Sequence, residues 1–210
     1  MALAAPVRSP VVEVPVTDLQ LARASMRHER VNGNLQQRGK KCFNNSIEEG
    51  RGTLGGLLGE EVTYDFFTGP QPAWERTPEN NPYHFDLILR GRSPITVDVK
   101  TKRQEYDGAP APHYFATVCA KNIEQVCDIY WFVRVHTAGE KAWILGWLPK
   151  KEFFRIALFF KKGDLDPTSH LGWRFREDCY NVSVRQLWRA DTPAALQEAW
   201  AHYTAVDGSK

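Results

Sequence analysis

Two aspartates and a lysine, Asp86, Asp98 and Lys100, combine residue types and spacing suited to chemistry. In "ITVDVKTK", residues 95–102, Ile95, Val97 and Val99 alternate with Thr96, Asp98 and Lys100. A strand here buries its β-branched residues and turns a carboxylate and an ammonium to the other face. In "HFDLIL", Phe85, Leu87 and Leu89 alternate in the same way and leave Asp86 opposite them. The turn Gly91-Arg92-Ser93-Pro94 joins the two segments as a hairpin, which sets both carboxylates on one face with Lys100 two residues further along. Neighbouring carboxylates repel unless a cation lies between them. Mg²⁺ suits that position, because it takes hard oxygen ligands, keeps several waters and leaves coordination positions for a phosphate. The Val99 carbonyl, between the two functional side chains, is a further candidate ligand. Lys100 can orient or deprotonate a water and counter charge in a transition state. A half-exposed strand whose Asp98 and Lys100 merely meet water is the plain alternative.

The elements that must position these residues are legible from periodicity and breakers. Residues 1 to about 18, with "APVRSPVVEVPV", read as an extended arm, and Asp18 caps a polar helix running to about Val31. "RVNGNLQQRGKK" carries two glycines and predicts a break. From about Ile47 to Phe67, Leu54, Leu57, Leu58, Val62 and Phe66 follow helical spacing. Gly50, Gly52 and Gly55 match a GxGxxG pattern, but no apolar strand precedes them, so dinucleotide binding is not expected. Glycines inside a helix each cost up to about 1 kcal/mol against Ala, which close packing on a sheet face offsets.

A Pro- and Asn-rich loop, "TGPQPAWERTPENNP", precedes the hairpin. "FATVCAKNIEQV" reads as a strand ending in a short helix, and "CDIYWFVRVH" and "KAWILGWLP" as two more strands. "PKKEFFRIALFFKKGD" is amphipathic and predicts a helix with Phe153, Ile156, Ala157 and Phe160 inward. "DCYNVSVRQL" is a late strand. Thr192-Pro193 starts a final helix with Leu196, Trp200 and Tyr203 in one stripe. A helix, a strand cluster and further helices argue for a mixed α/β (α+β) sheet protein.

Of the 210 residues, 42% are hydrophobic and 25% charged, as in globular chains, and the aromatic share argues against general disorder. A net charge of +2 identifies no partner by itself. Local basic groups (Arg38-Lys40-Lys41, Arg90-Arg92, Lys100-Lys102-Arg103, Lys161-Lys162) permit nucleic-acid binding, although such groups are more often solvated surface. Cys42, Cys119, Cys127 and Cys179 form no CxxC pair and no zinc-ligand spacing, so free thiols in a reducing compartment are expected. The histidines form no ligand pair. No run approaches the ~20 apolar residues of a membrane span, and "MALAAPVRSP" makes a poor signal peptide, so an intracellular, cytoplasmic location and no membrane partner are expected.

The pattern "FD…DVK" resembles the PD-(D/E)XK nuclease superfamily, with Asp86, Asp98 and Lys100 at its three motif positions. Phe85 stands where the family name has proline. The family often adds a glutamate from a preceding helix in a Gly-x-x-Gly-Glu context. Gly56-Leu57-Leu58-Gly59-Glu60 fits, which selects Glu60, with Glu61 as fallback and Glu49 third. The likeness covers roughly residues 47–160 and is similar to phage and bacterial members. It implies a restriction-endonuclease-like central mixed β-sheet flanked by helices. In domain terms, residues 1–28 form the arm and short helix, and residues 29–210 a single nuclease-like domain with a C-terminal helix.

The resemblance further implies a Mg²⁺-dependent (Mn²⁺ as substitute) hydrolase of DNA phosphodiester bonds, leaving 5′-phosphate and 3′-hydroxyl ends. Glu60, Asp86, Asp98 and the Val99 carbonyl would hold metal, and Glu60, Asp86, Asp98 and Lys100 would form the catalytic set. Lys102, Arg103 and Asn122, with Gln125 beside it, are candidates for holding nucleic acid. His113 and Tyr114 sit in a loop that either covers the site or is structural. A phage-encoded enzyme acting in the host cytoplasm fits, and a homodimer is left open. An RNA-directed nuclease, a non-cleaving nucleic-acid-binding module of the same fold and an interaction protein are the rival readings.

Overall fold

The computed structural model describes residues 11–37, 51–67, 73–77, 85–169 and 171–207; for residues 32–37 and 51–53 it describes the backbone alone. Arg38, Lys40, Lys41, Cys42, Glu49 and Gly50, singled out above, lie outside the described residues, as do two of the histidines, His84 and His170. In chain order the elements are β1 (Val12–Pro15), α1 (Asp18–Gln37), α2 (Arg51–Phe66), β2 (Trp74–Arg76), β3 (Leu87–Leu89), β4 (Ile95–Gln104) and β5 (Phe115–Cys119). They continue with β6 (Ile129–His136), β7 (Lys141–Pro149), α3 (Lys150–Ile156), β8 (Leu158–Phe160), β9 (Cys179–Ser183) and α4 (Pro193–Asp207). Short 3₁₀ turns follow β5 at Ala120–Asn122 and β9 at Val184–Gln186.

Six strands form one sheet in the order β1-β7-β6-β4-β3-β2. Its central pair β4–β6 is parallel and the others are antiparallel, so the protein is a mixed α/β structure. The β-branched and aromatic residues of β4 and β6 alternate across this sheet. Val97, Val99, Ile129, Trp131 and Val133 face Leu57, Leu58 and Val62 of α2 and Leu196 of α4. Tyr130 and Phe132 face the other way, against Phe153 of α3 and Ala116, Val118 and Val182 of a second, three-stranded sheet, β5-β9-β8. Each such side chain, fully buried, contributes roughly 1.5–3 kcal/mol. The even positions of β4, including Asp98 and Lys100, therefore look toward the small sheet, and α2 covers the odd ones. Close packing accounts for glycine in α2: a Cβ at Gly59 would lie 2.0 Å from Thr101 Oγ1 of β4.

Several boundaries differ from the sequence expectation. The segment read as an unpacked arm contains β1, which pairs antiparallel with β7 along Val12–Pro15. An edge position tolerates Pro15, because one side of the strand needs no N–H donor. The first helix runs through Gly33 to Gln37, since one glycine's propensity cost is small beside packing on α2. A three-residue strand, β2, interrupts the loop before the hairpin. The helix predicted over "PKKEFFRIALFFKKGD" ends at Ile156; Ala157 turns extended at φ −69°, ψ 143° and β8 follows. There Leu158–Phe160 pair with β9, and Phe160 stacks on Phe175 with ring centroids 4.8 Å apart, so sheet pairing and aromatic packing override the helical period. Among the described residues no helix is long and apolar enough to cross a membrane.

Candidate active site

The β3–β4 ladder changes character at Asp86. The register Leu87↔Val97 would set residue 86 opposite residue 98, yet the Asp86 N–H donates to the Val97 carbonyl, one residue out of step, at 2.9 Å. The Asp86 carboxylate then accepts the Val99 N–H at 2.7 Å, a donor that a continued ladder would give to backbone. Asp86 thus lies at the mouth of the hairpin, beside Val99 and Asp98. Its carbonyl accepts the Thr77 N–H at 3.1 Å, which ties this point to the end of β2.

Asp98 is buried, 3% exposed, on a strand whose neighbours on both sides are paired. The Lys100 ammonium stands 2.6 Å from Asp98 Oδ2 but outside hydrogen-bonding angles, so this oxygen has an ion-pair neighbour and accepts no hydrogen bond from the described residues. Lys100 Nζ donates instead to Gln125 Oε1 at 2.7 Å and lies 5.7 Å from the centre of the Tyr130 ring. The segment after β5 is anchored here by Lys150, which donates to the Gln125 carbonyl, and by Thr96, whose N–H and hydroxyl both donate to Asp128 Oδ2 at 2.8 Å.

Glu60 approaches from α2. One oxygen accepts from Arg27 of α1 at 2.7 Å. Burial pushes the Glu60 carboxyl up; Arg27 opposes this, and the charges of Asp98 and Glu61 add to it. Burial likewise holds the Asp86 carboxyl well above the usual aspartate range, and Glu60 and Asp98 raise it further against Lys100 and the Val99 N–H. The carboxylates of α2 and β4 thus bear on the ionisation of Asp86, and that of Asp98 on Glu60, around a single lysine. Tyr130, whose hydroxyl is buried without a hydrogen-bond partner among the described residues, and Cys127, whose thiol burial and Asp98 push up to about 12, complete the surroundings. Among the described residues no group of three or more His, Cys, Asp or Glu is arranged, as it stands, to hold a metal ion.

The next residue of α2 behaves differently. Glu61 is fully buried and gripped by three arginines: Arg76 donates to both of its oxygens at 2.8 and 2.6 Å, Arg27 to Oε1 at 3.0 Å, and Arg23 Nε lies 2.7 Å from Oε2. Asp65, one turn on, accepts from Arg23 and Gln20. This network fastens α1 and β2 to α2.

Glu60, Asp86, Asp98, Val99 and Lys100 are therefore neighbours. Lys102, further along the same face of β4, is half-buried beside Arg134, its register partner on β6; burial, then Arg134, push its ammonium down to about 8. Arg103 is exposed on the α2 face, where its side chain passes Gly55. Asn122 ends the 3₁₀ turn, half-buried, its carbonyl accepting the Gln125 N–H at 3.2 Å. Tyr114 packs on Tyr106 and under Arg134. Sequence reasoning missed Arg27, Tyr130 and Lys150. The i, i+4 repeat Arg23–Arg27 in a polar helix was the available signal for the first. No protein-family model and no curated protein matches the chain.

Proposed function

We propose that the protein is a divalent-metal-dependent nuclease that hydrolyses DNA phosphodiester bonds, with α2, β3 and β4 playing the parts of the restriction-endonuclease-like core. One observation carries this reading: burial and the charges of neighbouring carboxylates, Asp98 among them, raise the Glu60 and Asp86 carboxyls beside Lys100, which is ion-paired with Asp98. The donor set fits a hard divalent cation, because it consists of carboxylate oxygens and includes a buried oxygen, Asp98 Oδ2, that accepts no hydrogen bond. The ion, when bound, supplies charge for the phosphate and a water of lowered pKa.

The chain's own residues divide the remaining work. Glu60, Asp86 and Asp98 would hold the ion, with the Val99 carbonyl as a further oxygen. Lys100, steadied by Asp98 and Gln125, holds the attacking water and faces the charge that builds on the phosphate oxygens. Tyr130 and Phe132 close the floor of the site against solvent from the β6 side. Arg27 keeps Glu60 on the site side of α2.

A non-cleaving nucleic-acid-binding module is the second reading. Lys100 closed onto Asp98 and Gln125, with no three ligands among the described residues drawn into a cage, favours it. Incubation with supercoiled, linear and single-stranded DNA, and with RNA, in Mg²⁺ or EDTA separates the two. Mg²⁺-dependent cleavage of DNA, absent in EDTA, is the expected result. Binding without cleavage under every condition would replace the enzyme with the module, and cleavage of RNA alone would reassign the substrate.

A further inference from the structure

Two cysteines far apart in sequence face each other across the small sheet. The β5–β9 register pairs Cys119 directly with Cys179. Backbone bonds at both ends of that ladder fix which kind of pair this is. The Ala120 N–H donates to the Asp178 carbonyl at 2.8 Å, and the Val184 N–H to the Tyr114 carbonyl at 2.8 Å. Pairs 120/178 and 114/184 are therefore hydrogen-bonded, and by alternation 115/183, 117/181 and 119/179 are not. Non-hydrogen-bonded antiparallel partners bring their Cα atoms to about 4.5 Å and their side chains closest together. That separation lies within the range a disulfide spans, ~4.4–6.8 Å. The neighbouring pair of the same row shows that side chains here do meet: Thr117 Oγ1 donates to Asn181 Oδ1 at 2.7 Å.

Both thiols are reduced, and each has a different partner. Cys119 donates to Glu177 Oε2 at 2.7 Å, while Cys179 Sγ accepts from Asn181 Nδ2 at 3.1 Å. Glu177 lies two residues before Cys179, ahead of β9, and Asn181 two residues after it, so the two sulfurs lean apart along the strand direction. Rotation about the Cα–Cβ bonds, without backbone movement, turns them toward each other. Cys119 is half-buried and Cys179 buried, which orders the chemistry.

We propose that Cys119 and Cys179 form a redox site whose substrate is a small disulfide such as oxidised glutathione. The Cys119 thiolate attacks one sulfur of that disulfide, the S–S bond breaks, and one small thiolate leaves with the electron pair and takes up a proton. The Cys179 thiolate then attacks the Cys119 sulfur of the mixed disulfide and expels the second small thiolate, which is protonated in turn. Two protein thiols are oxidised, the small disulfide is reduced to two thiols, and the two protons lost by the cysteines end on the leaving groups. Burial pushes both protein thiols up, so the exchange is slow at neutral pH and quickens as pH rises. The product is a cross-strand staple between β5 and β9. It closes at the end of the small sheet where Cys179 lies within electrostatic reach of Lys102.

The test uses the reduced, folded chain incubated with oxidised glutathione at mildly alkaline pH, quenched with an alkylating agent in denaturant so that every remaining thiol is reached, and mapped by peptide mass spectrometry. The expected result is a Cys119–Cys179 cross-linked peptide, reversed by dithiothreitol, with Cys127 alkylated throughout. Cys179→Ser should stop at a glutathione adduct on Cys119, a species that the wild type does not accumulate. Accumulation of that adduct in the wild type, a cross-link through Cys42 or Cys127, or no oxidation of Cys119 would each overturn the proposal.

Discussion

Glu60 and Glu61 are adjacent on α2, yet their surroundings are opposites. Glu61 has no exposure and answers to three arginines, so its charge is matched on the spot. Among the described residues Glu60 pairs with Arg27, which it shares with Glu61, and lies within electrostatic reach of Asp86 and Asp98, where Lys100 stands. The first cluster is finished without help from outside the chain. The second gathers three carboxyl groups around one lysine in a site largely closed to water, which disfavours the ionisation of Glu60 and Asp86. A matched ion cluster reads as architecture, and an acid-rich one whose Asp98 oxygen has an ion-pair neighbour but accepts no hydrogen bond from the described residues reads as a place kept for a cation.

That contrast is broken most severely at Glu61. Glu61→Gln leaves three arginines facing a neutral amide, and removing one partner of a buried ion pair costs about 3–5 kcal/mol. Glu60→Gln should change stability by less than about 1 kcal/mol, because Arg27 is partly solvated. Chemical denaturation of the two variants checks this. Equal losses would mean that the two glutamates have the same task.

Lys100→Ala comes next in size. It leaves all three carboxylates in place, so the ion should still bind while single-turnover cleavage falls by roughly a hundred- to thousandfold, or ~3–4 kcal/mol of transition-state stabilisation. Cleavage near the wild-type rate would reduce "ITVDVKTK" to a structural strand.

The smallest effect sharpens the comparison on the cationic side. Lys102 is a base whose pKa falls on folding, from 10.5 to about 8, chiefly through burial. Below about pH 8 the folded protein holds this charge at a cost, and between about 8 and 10.5 the unfolded chain binds more protons, so stability from this group rises with pH. Lys102→Met should therefore stabilise the protein at neutral pH, by roughly 1–2 kcal/mol. The advantage should shrink as pH climbs through that window. Denaturation midpoints across pH measure it, and a pH-independent difference would place the Lys102 ammonium in solvent.

The order of helix, hairpin and following strands was legible because hydrophobic period and turn residues act locally. Asp86, Asp98 and Lys100 stood out for the same reason, as charged residues alternating with apolar ones, although Asp86 falls just before β3 rather than in it. The helix glutamate needed the Gly-x-x-Gly-Glu context, and nothing local separates Glu60 from Glu61; only the arrival of Arg23 and Arg76 from other elements does. Position 157, where a helical period gives way to β8, was illegible because the pairing that decides it comes from β9, about twenty residues later. Gln125 could be named as a polar residue near the site, but its hold on Lys100 depends on the anchoring of its loop by Lys150 and Thr96.

The central claim is that the acid-rich cluster is a cation site and the matched cluster is not. Calorimetric titration of Mg²⁺ into the folded protein, beside Asp98→Asn and Lys100→Ala variants, tests it most directly. The account predicts one saturable binding process for the wild type, its retention in Lys100→Ala and its loss in Asp98→Asn. Absence of binding in the wild type, or binding that Asp98→Asn leaves unchanged, would contradict it.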